Sequence, residues 1–194
     1  MTLPNNEKLR LFIAIELDKS LKESLKTLQD ELKKCGADVG WVKPENIHLT
    51  LKFLGETEPK SIARISAALE ETAGLFPPFT LNITHVGFFP EQGPTRIVWA
   101  GLDKGKDESA RLADFLEDKL SVLGFKKEKR GFSPHVTIGR VRSEENLYAL
   151  RKTLSNFHFK TPLTQTTNHL TLFKSTLTPQ GPIYEPLRVS TLKP

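Results

Sequence analysis

The stretch Asn46-Ile47-His48-Leu49-Thr50-Leu51-Lys52-Phe53-Leu54-Gly55 decides the fold, because it returns in shortened form as Ser133-Pro134-His135-Val136-Thr137-Ile138-Gly139-Arg140. Both copies read His-x-Thr-x, with an aliphatic residue at each x. Side chains alternate between the faces of a β-strand, so His48 and Thr50 share one face and Leu49 and Leu51 the other. His135 and Thr137 pair in the same way against Val136 and Ile138. Each strand buries an apolar face and presents an imidazole beside a hydroxyl. Two such strands facing each other put two histidines and two threonines into one cleft.

Outward from these copies, the surroundings also repeat. Leu9 to Leu17 reads as a buried strand, and Asp18 is placed to cap a helix whose Leu21, Leu25, Leu28 and Leu32 recur at helical spacing before Gly36. The first motif strand follows. Pro59 then opens a second helix with Ile62, Ile65, Ala68 and Leu69 as its stripe, and Phe79 to Phe88 reads as a strand. The second half repeats the order. It has a strand from Arg96 to Ala100, a helix from Glu108 to Leu123 ended by Gly124, and the second motif. A helix from Glu144 to Leu154 with Ser143 as its cap comes next, then a strand region from Phe157. The tail adds Asn168 to Phe173 and Ser175 to Tyr184, read as two antiparallel strands joined by a Pro/Gly turn. The spacing is that of an internal duplication, longer than a solenoid repeat. The expected class is α+β: a single domain over 1–194 with two pseudo-symmetric lobes of duplicated βαβαβ units, about 9–89 and 95–190, and antiparallel sheets facing a central cleft.

The bulk numbers narrow the setting. A chain of 194 residues buries a core without staples, and 38% hydrophobic with 26% charged residues suits a globular protein. The single cysteine, Cys35, excludes an intramolecular disulfide and fits a reducing compartment, with a packing role late in the first helix. No apolar run is long enough to span a membrane or form a signal-peptide core, so the expected location is cytoplasmic. A net charge of +5 favours a phosphate-rich partner such as RNA and equally fits an ordinary basic surface.

His169-Leu170-Thr171-Leu172 is a third His-x-Thr-x, but no glycine-ended helix precedes it, so the duplication leaves it over. It reads as a polar residue on an open strand face, and His85 and His158 read as structural or surface residues. Lys52 shares the His48 face by parity, and Phe53 falls on the opposite, core face.

LFIAIEL, WVKPENIHLTLKFLGE, RIVWAGL, GFKKEKRGFSPHVTIGRV and STLTPQGPIYEPL together resemble the 2H phosphoesterases. Within that group the chain resembles the bacterial and archaeal RNA 2′,3′-cyclic phosphodiesterases, also called 2′–5′ RNA ligases. The resemblance covers nearly the whole chain. It implies His48 as proton donor, His135 as proton acceptor, and Thr50 and Thr137 as hydrogen-bond donors to the phosphate. It also implies a substrate contact from Arg140, although strict alternation puts that side chain opposite His135 unless Gly139 hosts a bulge. The implied reaction opens an RNA 2′,3′-cyclic phosphate to a 2′-phosphomonoester, or runs reversibly as 2′–5′ ligation. It needs no cofactor and no metal, and the expected state is a monomer. Two in-line groups serve attack and departure, and imidazole suits both near neutral pH. The run Lys126-Lys127-Glu128-Lys129-Arg130 either guides an RNA strand to the cleft or forms a solvated loop. Two other classes stay open. One is a metal-dependent hydrolase using His48, His135 and His169, and the other an RNA-binding module without catalysis.

Overall fold

The computed structural model describes residues 7–129 and 131–193. Strand β1 (Leu9–Glu16) leads into helix α1 (Lys19–Lys33), then the short β2 (Val39–Trp41) and β3 (His48–Thr57). Helix α2 (Ile62–Ala73) and β4 (Phe79–Phe89) complete the first half. The second half runs β5 (Ile97–Leu102), α3 (Lys106–Val122), β6 (His135–Val141), α4 (Leu147–Asn156) and β7 (Leu163–Thr167). The tail forms the hairpin β8 (His169–Thr178) and β9 (Gly181–Thr191). No helix among the described residues is long and apolar enough to cross a membrane.

All nine strands join one antiparallel sheet in the order β7-β4-β5-β6-β3-β1-β8-β9, with β2 beside β6. Its two halves meet at a single pair, Leu49 with Val136, between β3 and β6. The halves of the chain do not map one to one onto the halves of the sheet. β4 leaves the first unit to pair with β5, and β8 leaves the second unit to pair with β1. The first unit thus lends β4 to the half of the sheet that holds β5 and β6, the tail hairpin β8–β9 completes the half that holds β1 and β3, and the boundaries 9–89 and 95–190 divide the sequence rather than the sheet. The exchange ties the two lobes together through backbone hydrogen bonds.

The core lies between the helices and the convex face of the sheet. Leu21, Leu25, Leu28 and Leu32 of α1 are all buried there, each contributing roughly 1.5–3 kcal/mol. Leu49, Leu51, Val136 and Ile138 join the same core, as the alternation required. Gly36 and Gly124 both sit at positive φ after α1 and α3 (72° and 92°), the backbone region that favours glycine at a helix end. Asp18 occupies the N-cap position of α1 without a side-chain cap bond. α4 begins later than expected, at Leu147, because Asn146 takes a left-handed conformation (φ 51°) in place of a helical one. Ser143 instead accepts the Glu145 backbone N–H. β2 was not foreseen; three residues are too few for periodicity to reveal.

Parity fails at one expected place. β3 carries two bulges against β1: Ala14 faces Thr50 while Ile13 faces Lys52, and Phe12 faces Phe53 while Leu11 faces Gly55. Leu51 and Leu54 are the extra residues, and both are buried. Lys52 is therefore turned into the protein (3% exposed) and Phe53 out toward the cleft (59% exposed), the reverse of the alternation.

Candidate active site

The antiparallel contact of Leu49 with Val136 sets the site. One step to either side, the register brings His48 opposite Thr137 and Thr50 opposite His135. All four side chains line one open cleft of about 2720 Å³. That volume exceeds a pocket built for one small molecule, which is roughly 300–1,000 Å³.

The two histidines are held by the same local device. His48 Nδ1–H donates to the Asn46 carbonyl at 2.8 Å, and His135 Nδ1–H donates to the Ser133 carbonyl at 2.7 Å. Fixing Nδ1 as the donor leaves each Nε2 as the reactive nitrogen. The Asn46 side chain is itself anchored, its Nδ2 donating to the Pro182 carbonyl at the start of β9. Buried Gln29 of α1 joins the two motifs from below. Its Nε2 donates at 2.8 Å both to the Val42 carbonyl, ahead of β3, and to the Ile138 carbonyl within β6.

The surroundings of the two imidazoles differ. Phe12 stacks on His48 with centroids 4.9 Å apart, and Tyr184 meets it edge-on at 5.3 Å. Phe173 backs Phe12. This aromatic nest pushes the His48 imidazole down to about 4. Burial is the main cause and the Asn46 bond opposes it, while the Lys22 and Arg140 charges add to it. His135 meets Phe89 edge-on at 5.2 Å, and Phe89 in turn packs on Trp99. Phe12, Phe89, Gln29 and Tyr184 drew no notice in the sequence. The signal for Phe12 was its parity with Ala14 against the core residues Leu11, Ile13 and Ile15.

Arg140 lies on the cleft face. β6 carries a bulge against β5, where Val98 pairs with Gly139 but Trp99 with Thr137. Ile138 and Gly139 therefore both turn to the core and Arg140 turns inward. A side chain at 139 would collide with Val39, its Cβ standing 2.7 Å from Val39 Cγ1. Arg140 lines the same cleft as the two histidines, and its charge bears on both His48 and Tyr184. No side-chain hydrogen bond engages the Thr50 or Thr137 hydroxyl among the described residues, so both are available to an anion.

His169 stands apart. It opens β8, which β1 separates from β3, and its Nε2 lies 3.8 Å from Glu16 Oε2. The neighbouring Thr171 hydroxyl donates to the same carboxylate oxygen. No group of three or more metal-ligating side chains is gathered among the described residues. His85 packs edge-on to Trp99, and Cys35 packs against the core.

A curled antiparallel sheet, a duplicated chain and two opposed His-Thr pairs define a two-histidine phosphoesterase architecture. Comparison with known proteins agrees. The profile of the LigT like Phosphoesterase family matches residues 15–99 and 101–184, each stretch carrying one of the motif histidines. The chain belongs to this family. It is 39% identical to the RNA 2′,3′-cyclic phosphodiesterase of Archaeoglobus fulgidus, over 93% of this chain and 99% of that one. It is 34% identical to the protein of the same name from Thermotoga maritima, over 92% and 93%. Among solved structures, E. coli LigT complexed with 3′-AMP superposes with a TM-score of 0.82 at 26% identity, covering 97% of this chain and all of that one.

Proposed function

We propose that the protein opens 2′,3′-cyclic phosphate ends of RNA by paired histidine acid and base catalysis, leaving a 2′-phosphate. The observation that carries this reading is the single Leu49–Val136 contact, whose register puts His48 and His135 into one cleft with a threonine opposite each. The names of the full-length relatives support the substrate.

In the forward direction, neutral His135 Nε2 takes a proton from water as its oxygen attacks phosphorus. The bond from phosphorus to the ribose 3′ oxygen breaks on the far side, and His48 Nε2–H protonates that oxygen. The products are a 2′-phosphomonoester and a free 3′-hydroxyl, with His48 neutral and His135 protonated until solvent resets them. The Thr50 and Thr137 hydroxyls and the Arg140 guanidinium donate to the non-bridging oxygens, where charge builds up. Burial, reinforced by the Lys22 and Arg140 charges, keeps His48 neutral at pH 7 in the free protein. The docked phosphate anion opposes that effect and favours the protonated donor. An RNA 5′-hydroxyl in place of water gives a 2′–5′ linkage by the same steps, and a cleft of about 2720 Å³ has room for that second strand.

One chain supplies the whole site, so a monomer suffices. A single cysteine suits the reducing cytoplasm we assign to it. The test is the position of the product phosphate, read by phosphorus NMR after reaction of an oligonucleotide ending in a 2′,3′-cyclic phosphate. A 2′-phosphate is expected, and a 3′-phosphate would overturn the assignment of the departing oxygen.

A further inference from the structure

The cleft has two mouths of different charge. β3 and β6 cross antiparallel at Leu49 and Val136, so β6 leads from the histidines toward the residues ahead of His48, and β3 toward those ahead of His135. At the first mouth stand Arg140 of β6 and Arg142, just past the end of that strand, where its backbone N–H donates to the Asp38 carbonyl, and Lys43 follows β2; all three line the cleft. The Arg142 guanidinium lies over Gly40, where a Cβ would stand 3.0 Å from its Nε. Glycine at that position leaves the guanidinium room to lie along the sheet inside the cleft. Among the described residues, none of these three cations is in a salt bridge.

The second mouth holds the basic run that the sequence offered as an RNA guide. There Lys127 is paired with Asp118 and Lys52 with Glu117, and Asp114 and Glu128 line the same wall. Lys8, Arg10 and Lys129 also line the cleft outside any salt bridge among the described residues, but Glu7 and Glu56 line it unpaired as well, so carboxylates match the cations along the described part of this mouth; Arg130 lies outside the described residues. A polyanion gains little there and would meet unpaired carboxylates.

We propose that the RNA chain upstream of the cyclic phosphate leaves the cleft over the first mouth, its backbone phosphates resting on Arg142 and Lys43. The proposal rests on the RNA phosphodiesterase reading and gives it a direction. Arg140 and Arg142 stand ~7 Å apart along the chain, a step that suits consecutive phosphates of an extended single strand. Arg140 then serves the reacting phosphate, and Arg142 and Lys43 the phosphates behind it.

The test compares two substrates, uridine 2′,3′-cyclic phosphate and an oligouridine octamer ending in the same group, at rising KCl. The proteins are the wild type, Arg142→Ala/Lys43→Ala and Lys127→Ala/Lys129→Ala. The readout is the kcat/KM preference for the octamer over the mononucleotide. The wild type is expected to favour the octamer. The first double variant should lose that preference about tenfold, with the salt slope for the octamer falling by ~1.4 for two phosphate contacts on a single strand. The second should keep it. The charge-preserving Arg142→Lys/Lys43→Arg variant should restore most of the preference, which separates lost charge from lost folding. An undiminished preference in the first variant, or a larger loss in the second, overturns the proposal. So does a wild type that turns over both substrates equally, though the phosphodiesterase reading then stands. Turnover of neither substrate overturns both.

Discussion

Lys52 Nζ lies 2.7 Å from Glu117 Oε2, with 1% of the lysine side chain and 16% of the glutamate side chain exposed. The same ammonium donates to the Lys126 carbonyl, and the same carboxylate oxygen accepts the Glu128 backbone N–H. The bulge at Leu51 that turns Lys52 inward thus fastens the first motif strand to α3 and to the loop leading to His135. A buried charge that loses its partner costs about 3–5 kcal/mol, whereas an apolar pair of similar volume is close to neutral. Glu117→Ala is expected to destabilise the protein by about 3 kcal/mol or more. Lys52→Met/Glu117→Leu should cost clearly less. Urea unfolding of both variants checks this, and equal losses would show that the pair acts only through packing.

Protonation of His48 links the site to stability. Its pKa lies at about 4 in the folded protein against 6.5 for the ordinary imidazole. Between those values the unfolded chain binds a proton that the folded chain refuses. Stability from this group is therefore full above pH 6.5 and falls as the pH drops toward 4, by roughly 3 kcal/mol in all. Unfolding measured at both ends of that window should show a smaller acid loss for His48→Gln than for the wild type. An NMR titration that puts His48 near 6.5 would contradict this account.

The aromatic nest is the cause, so opening it should release the proton affinity. Phe12 is 3% exposed and stacks on His48. Phe12→Leu keeps most of the apolar volume and removes the ring. It is expected to raise the His48 titration midpoint toward the ordinary value at a cost near 1 kcal/mol. Phe12→Ala should raise it further and cost about 3–5 kcal/mol. An unmoved midpoint in both variants would point to another source of the shift.

In the proposed reaction Arg140 serves the reacting phosphate, and its charge also depresses the His48 imidazole. Arg140→Gln removes a charge-assisted donor, so kcat/KM should fall about tenfold or more. It also removes a positive neighbour that depresses His48, so the His48 midpoint should rise. A fall in kcat/KM with no titration shift would place the guanidinium farther from His48 than the structure does.

Much of this was legible in the sequence because it follows from period and repetition. His48, Thr50, His135 and Thr137 share the cleft since a single residue separates the members of each pair on a strand with no bulge between them. The leucines of α1 follow helical spacing for the same reason. Lys52 and Phe53 were misplaced because a bulge adds one residue and inverts every face beyond it, and neither Leu51 nor Leu54 carries a local mark of it. Gly139 was a mark that a bulge was possible there, and β6 bulges next to it, at Ile138. The exchange of β4 and β8 between lobes left no trace in the sequence, because strand partners are chosen by long-range packing. The hydrogen bonds of Gln29 and Asn46 to distant carbonyls were hidden for the same reason.

The most direct test of the central claim is turnover of an RNA oligonucleotide ending in a 2′,3′-cyclic phosphate, with EDTA present. The wild type is run beside His48→Ala, His135→Ala and His169→Ala. The account predicts metal-independent turnover that is lost by orders of magnitude in the first two variants and retained in the third, whose imidazole sits beside Glu16 beyond β1. Turnover that survives without His48 or His135, or that vanishes without His169, would contradict it.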